Sequence, residues 1–239
     1  MITVHGANTT LTDLRRIPLI RPDGAGKVWR GIQHGELVDT ILGEIGERGW
    51  EIKDQRFSIG GDGANLAAAF DLDIPKLLAP EGTGFSLGLL TDNRREKALR
   101  LYAGANVTVC NNGLATGEIV LKHKHTVNFR LREEICEAMD EYLSASRRVG
   151  GMIDGLKVWN LSLYEYEHLL LESARKGFMP WSRLSYVDRE FHQSSFGFGS
   201  DTSWDLLNAF THVAKRNPPG RQLEQINGFR AMLPVAVAV

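Results

Sequence analysis

The sequence predicts an α+β protein, with an N-terminal helix and an antiparallel β-sheet of about six strands followed by a helical C-terminal half. Three observations carry this. A helical stripe lies early in the chain, apolar residues then alternate at strand period between turn signals, and from Arg132 the period becomes helical again.

The first thirty residues are rich in Gly, Pro and Thr and show little periodicity, so they read as an irregular arm. Residues 31–239 then form one α+β domain, β-rich over 50–131 and helical over 132–216. Between Ile32 and Arg48, Leu37, Val38, Ile41, Leu42 and Ile45 share one helical face, and Gly49 suits a left-handed helix end. Trp50 to Ile59 and Ala64 to Leu72 read as strands joined across Gly60-Gly-Asp-Gly63. Further strands are expected at Phe85–Leu90, Ala98–Tyr102, Val107–Cys110, Glu118–Leu121 and Thr126–Leu131. Thr91-Asp-Asn-Arg94 and Asn112-Gly113 supply turns between them.

In the second half, Ile135, Met139, Tyr142 and Leu143 lie on one helical stripe that Gly150-Gly151 weakens or ends. Ser162 with Glu165 three residues on has the spacing of a capping box, and Gly177 and Pro180 close the helix that follows. Phe191 to Gly199 reads as a loop, Asp201 or Thr202 as the cap of a helix carrying Trp204 and Asn208, and Asn217-Pro-Pro-Gly as its stop. The last residues, LPVAVAV, read as an edge strand or a docked end.

Composition narrows the function classes. An apolar fraction of 43% with 24% charged residues is that of a globular chain, and no apolar run approaches the roughly 18 residues of a membrane helix. With two cysteines and no signal-peptide pattern, the expected location is the cytoplasm. The net charge of −1 argues against a duplex-wrapping protein, so nucleic-acid contact would have to come from local patches. Arg94, Arg95, Lys97 and Arg100, the run Lys122-His123-Lys124-His125, Arg130 with Arg132, and Lys215, Arg216 and Arg221 are those patches. The ordinary alternative is that each is a solvated face.

Cys110, with His123 or His125 as a base, has the residue types of a nucleophile pair, but spacing places no orienting acid. A cysteine on an apolar strand is ordinarily packing, so no catalytic residue is assigned. On a strand, His123 and His125 would face the same side, and Lys-His-Lys-His-Thr would suit positioning contacts to a phosphate backbone. No four-ligand spacing for a metal is present, and Gly60–Gly63 and Gly82–Gly84 match neither phosphate-loop pattern. No cofactor or metal is expected.

The segment ANVTVCNNGLATGEIVLKHKHT resembles the V-C-(D/N)-N…G…(R/K)-K-H-T core of a family of phage- and plasmid-associated proteins described as domain of unknown function 932. LLTDNRREKALRLYAG resembles the segment preceding that core, with Thr91-Asp92-Asn93 where the family often has an Asn-Ser turn. DTSWDLLNAFTHVAKR resembles a later element of the family. The residues carrying the resemblance are Cys110, Asn111, Asn112, Thr126, Trp204 and Asn208, within a span from Gly84 to Arg216. The resemblance implies a mobile-element context and supplies no catalytic residues.

Three functions follow in order. The first is a nucleic-acid-binding accessory protein of a mobile element, acting on single-stranded DNA in annealing or recombination as a homo-oligomer. The second is a protein-binding factor directed at a host component, without nucleic-acid binding. The third is an enzyme using Cys110 and His125. The first predicts a basic groove built from Lys122, Lys124, Arg130 and Arg132.

Overall fold

The computed structural model describes residues 8–94, 97–107, 112–217 and 219–235. Its sheet is an antiparallel meander in the order of the chain: the short edge strand β1 (Asn8–Thr9), then β2 (Glu51–Gly60), β3 (Asn65–Asp73), β4 (Thr83–Asp92), β5 (Leu99–Val107) and β6 (Asn112–His123). Five of these are long, and β1 adds two residues paired to Ser58 and Phe57. The α+β arrangement read from the sequence is the one observed.

Each hairpin has a local cause. Gly61, Asp62 and Gly63 all take positive φ between β2 and β3, a corner that glycine holds without strain and that Asp62 holds at φ 53°. Alternation then sorts the faces. Leu66, Ala68, Phe70 and Leu72 of β3 join Phe85, Leu87 and Leu89 of β4 and Leu99, Leu101 and Ala103 of β5 in one core. The opposite face carries Ala67, Ala69, Ser86, Gly88, Arg100 and Tyr102.

Three helices contribute to the first core: α1 (Leu11–Arg16), α2 (His34–Glu47) and the N-terminal half of α3 (Leu131–Val158). The segment expected as an irregular arm therefore contains both β1 and α1, a helix that opens on the capping box Thr10–Asp13 and whose Leu14 is fully buried. Arg48 ties α2 to α3 by donating to Cys136 O at 3.1 Å and to Asp140 at 2.6 Å. Gly49 has φ 67°, as its position after α2 required.

Several other expectations are corrected. Thr126 to Leu131 is not a strand: Thr126 makes one bridge to Trp29, a turn follows, and Leu131 opens α3. Gly150-Gly151 does not end that helix, which runs on to Val158 because Val149, Ile153 and Leu156 continue its buried stripe. Phe191 is not in a loop but closes α5 (Leu184–His192), buried and stacked on Tyr166 at 4.7 Å. Past residue 217 the chain forms a further helix, α7 (Pro219–Arg230), with proline at its start where no donor is lost. The expected strand at Val107–Cys110 begins on the last residue of β5, and the rest of it lies outside the described residues.

The second core belongs to the helices. Ser162–Glu165 and Thr202–Asp205 form complete capping boxes for α4 (Leu163–Arg175) and α6 (Ser203–Ala214). Leu169, Val187, Leu207, Phe210 and Phe229 pack together there, with Phe210 and Phe229 stacked at 4.0 Å. Asn227 of α7 accepts a hydrogen bond from Gly117 N at 3.4 Å, so the helical half covers part of the outer edge of β6.

Candidate functional site

The end of the sheet formed by β4, β5 and β6 gathers a cluster of buried polar residues. Beneath the surface, Thr91, Asp92 and Asn93 close β4 and are all nearly fully buried. Asp92 accepts from Arg94 N at 2.7 Å and, with the Asn65 amide nitrogen turned toward it, from Asn65 at 2.7 Å. Asn93 clamps the backbone of Ile32 in both directions, accepting from Ile32 N at 3.1 Å and donating to Ile32 O at 2.9 Å. Its own N–H donates to Ala64 O at 3.0 Å. A short side chain thus locks the segment before α2 onto the sheet, which no apolar residue at that position could do.

That clamp positions a wall. Trp29 bridges Thr126, Val127 N donates to Val28 O at 3.0 Å, and Arg30 N donates to His125 O at 3.3 Å. Between this wall and the strand ends lies a cleft of about 430 Å³, lined by Val28, Trp29, Lys97, Arg100, Lys122, Lys124, His125 and Thr126 along with Ala98. Four lining side chains are cationic and none is a carboxylate.

Strand register explains how the charges converge. Arg100 on β5 and Lys122 on β6 are direct cross-strand partners. Like charges placed opposite each other oppose sheet formation, so this pair costs stability instead of adding it. The bulge between Leu101 and Tyr102, where β6 has one residue more, puts Val120 and Leu121 together on the core side and leaves Lys122 on the cleft side. Several arginines elsewhere do have carboxylate partners: Arg15 with Asp39, Arg94 with Asp62, Arg132 with Glu47 and Arg148 with Glu118. Lys97, Arg100, Lys122 and Lys124 have none among the described residues.

The cleft also holds hydrogen-bond donors without protein acceptors. Trp29 Nε1, Arg100 Nε and His125 Nδ1 are buried and unpartnered. His125 is 7% exposed, and its Nε2 lies 3.1 Å from Thr91 Oγ1. When Thr91 donates to Nε2, the ring proton sits on Nδ1 and makes it a donor. Burial lowers the pKa of His125 below 6.5, with Asp92 acting the other way and His34 and His123 reinforcing the drop, so the ring is neutral at pH 7. His34, its neighbour in this cluster, is lowered by burial too and bonds Gly63 O at 2.9 Å.

Of the residues singled out from sequence, Lys97, Arg100, Lys122, Lys124, His125 and Thr126 come together here. The others do not. His123 and His125 do not share a strand face, because β6 ends at His123. That ring packs on Phe129 at 4.6 Å and lies 3.5 Å from Glu134, while His125 turns inward to Thr91. Arg130 pairs with Glu133, and Arg132 faces a separate groove of mixed charge along α2. Arg94 pairs with Asp62 beside the β2–β3 corner, while Arg95, Cys110 and Asn111 lie outside the described residues, and Asn112 opens β6. Trp204 and Asn208 sit in the helical core: Asn208 Nδ2 donates to Trp204 O at 2.8 Å, and the Lys157 ammonium lies 5.7 Å from the Trp204 ring. Trp29 carried no signal in the sequence. The alternation Leu99-Arg-Leu-Tyr102 did carry one for Arg100, since it places a cation on the face away from the core.

Among the described residues no helix is long and apolar enough to cross a membrane. No curated protein and no solved structure matches the chain. A family model does, over residues 88–233, and that span contains every cleft residue except Val28 and Trp29. The chain therefore belongs to the family described as Domain of unknown function (DUF932).

Proposed function

We propose that the protein binds single-stranded nucleic acid, with the phosphate backbone in the cleft between Trp29 and the ends of β5 and β6. One observation carries this reading: four cations without carboxylate partners among the described residues line the cleft, two of them held opposite each other at a cost to the sheet. Trp29, Arg100 and His125, three of the residues lining the cleft, each also carry a buried ring or guanidinium nitrogen without a protein partner. A duplex is read by an element projecting into its groove, whereas a concave basic cleft with an aromatic wall receives a strand. The setting this reading expects is cytoplasmic, in a mobile-element accessory protein that works as a homo-oligomer in annealing or recombination. No catalytic residue and no cofactor enter it.

The test is fluorescence anisotropy with labelled oligo(dT) at low salt. Binding is expected, and the double variant Lys97→Ala/Lys122→Ala weakens it about tenfold or more. A wild-type protein that leaves the oligonucleotide free at low salt overturns the proposal. A protein-docking role is the second reading, and what favours it is the set of exposed apolar side chains on and near α4: Leu163, Tyr164, Leu171 and Trp181. An enzyme built on Cys110 and His125 has no comparable support, since the His125 imidazole is engaged with Thr91 beneath the cleft.

A further inference from the structure

A second pocket, in the helical half and remote in sequence from the cleft, repeats the same chemical oddity. It encloses about 210 Å³ between α5, the loop after it and the C-terminal end of α6. Arg183, Arg189 and Arg216 reach it, together with Tyr186, Glu190 and His212. None of the three arginines has a carboxylate partner among the described residues, in contrast to Arg15, Arg48, Arg56 and Arg148.

The one carboxylate of the pocket is already engaged. Glu190 is 9% exposed and accepts from Ser195 N at 2.9 Å and Ser195 Oγ at 2.8 Å, which fixes the loop that forms the rim. His212 Nε2 lies 4.0 Å from Glu190, and His212 Nδ1 is buried without a partner. Two of the arginines are held in place: Arg183 donates to Asn217 Oδ1 at 3.1 Å, Asn217 in turn donates to Gln225 at 2.6 Å, and Arg189 lies over the Tyr186 ring at 5.7 Å. Fixing a guanidinium in advance reduces the entropy lost when it forks onto an anion.

We infer that this pocket binds a phosphate monoester, with Arg189 and Arg216 as the forks, Arg183 as a pre-positioned third cation and His212 beside them. Three guanidiniums against one engaged carboxylate match a dianion, and bidentate Arg–phosphate pairing is the geometry guanidinium groups favour. The volume suits a phosphoryl group with little attached to it and falls below the range of drug-sized sites. Such a group is carried equally by a small phosphorylated metabolite and by the 5′ end of a nucleic acid strand.

Isothermal titration with inorganic phosphate and thymidine 5′-monophosphate tests this, alongside anisotropy with a 5′-phosphorylated and a 5′-hydroxyl oligonucleotide. Saturable binding of the phosphate probes is expected, about tenfold weaker in Arg216→Ala and in Arg189→Ala, with Arg216→Lys between. Lys97→Ala, in the other cleft, leaves that binding unchanged, and Arg216→Ala leaves binding of the 5′-hydroxyl strand unchanged. A preference for the 5′-phosphorylated strand that Arg216→Ala abolishes assigns the site to strand ends, and its absence assigns it to free monoesters. No saturable binding by folded wild-type protein, or binding that Arg216→Ala and Arg189→Ala leave intact, overturns the inference.

Discussion

At the scale of single residues, Lys122 concentrates the conflict between folding and the proposed function. It faces Arg100 across the sheet with no acid to offset the pair, so replacing it removes a repulsion. Lys122→Thr is expected to raise stability by about 0.2–1 kcal/mol, seen as a higher urea midpoint, while weakening oligonucleotide binding. It also lowers the slope of log affinity against log salt by about 0.7, the value for one phosphate contact on a single strand. Gain of stability without loss of binding would show that the pair serves neither.

His125 makes a prediction in pH. Its folded-state pKa lies below the ordinary value of 6.5 because burial disfavours the charged ring, so the unfolded chain binds the proton more readily. The stability this contributes is complete above pH 6.5 and is lost as pH falls from there through the lowered folded value. His34 shifts in the same direction for the same reason and adds to the effect. The groups facing His125 are Asp92, His34 and His123, and only Asp92 resists the shift. Urea midpoints measured between pH 5 and 8 should fall below about pH 6.5 in the wild type, and His125→Asn should flatten that fall.

At the scale of elements, the segment Thr91-Asp-Asn-Arg94 does more than turn the chain. Asn93 is 1% exposed and holds Ile32 through two hydrogen bonds, so Asn93→Ala leaves two backbone groups of Ile32 without their partner. A cost of about 2–4 kcal/mol is expected in denaturant melts, along with a change in Trp29 fluorescence as the cleft wall loosens. The sequence showed this segment as a polar turn. It did not show the clamp, because Ile32 is 61 residues away and local spacing cannot report such a pairing.

The long helix α3 yields the opposite sign. Gly150-Gly151 has the pattern of a weakened or ended helix, but a buried stripe on both sides overrides propensity. Gly151 is exposed, and a Cβ there meets nothing within 4 Å. Gly151→Ala should therefore stabilise by about 0.5–1 kcal/mol and raise the thermal midpoint. An unchanged or lower midpoint would mean that the glycine pair serves something other than the helix.

For the whole molecule, the architecture was legible where periodicity is strong. The stripe of α2, the β2–β3 hairpin around Gly61 to Gly63, and the capping boxes of α4 and α6 were all visible in local pattern. The helix α7 was not, since Asn217-Pro-Pro-Gly reads as a stop and proline also opens helices. Most of the candidate site was visible as the basic residues Lys97, Arg100, Lys122 and Lys124 with His125 and Thr126. The rest, Trp29 and the pairing of Arg100 with Lys122, depends on register and on a long-range bridge. The basic groove expected through Arg130 and Arg132 is divided, because α3 turns those side chains toward Glu133 and Glu47.

The central claim is that a strand lies in this cleft and not merely near a basic surface. Photocrosslinking to a bromodeoxyuridine-substituted single strand, followed by peptide mapping, tests it directly. The account predicts crosslinks to the peptide holding Trp29 and to those spanning Lys97–Arg100 and Lys122–Thr126. Crosslinks confined to other peptides, or none under conditions where anisotropy reports binding, would contradict it.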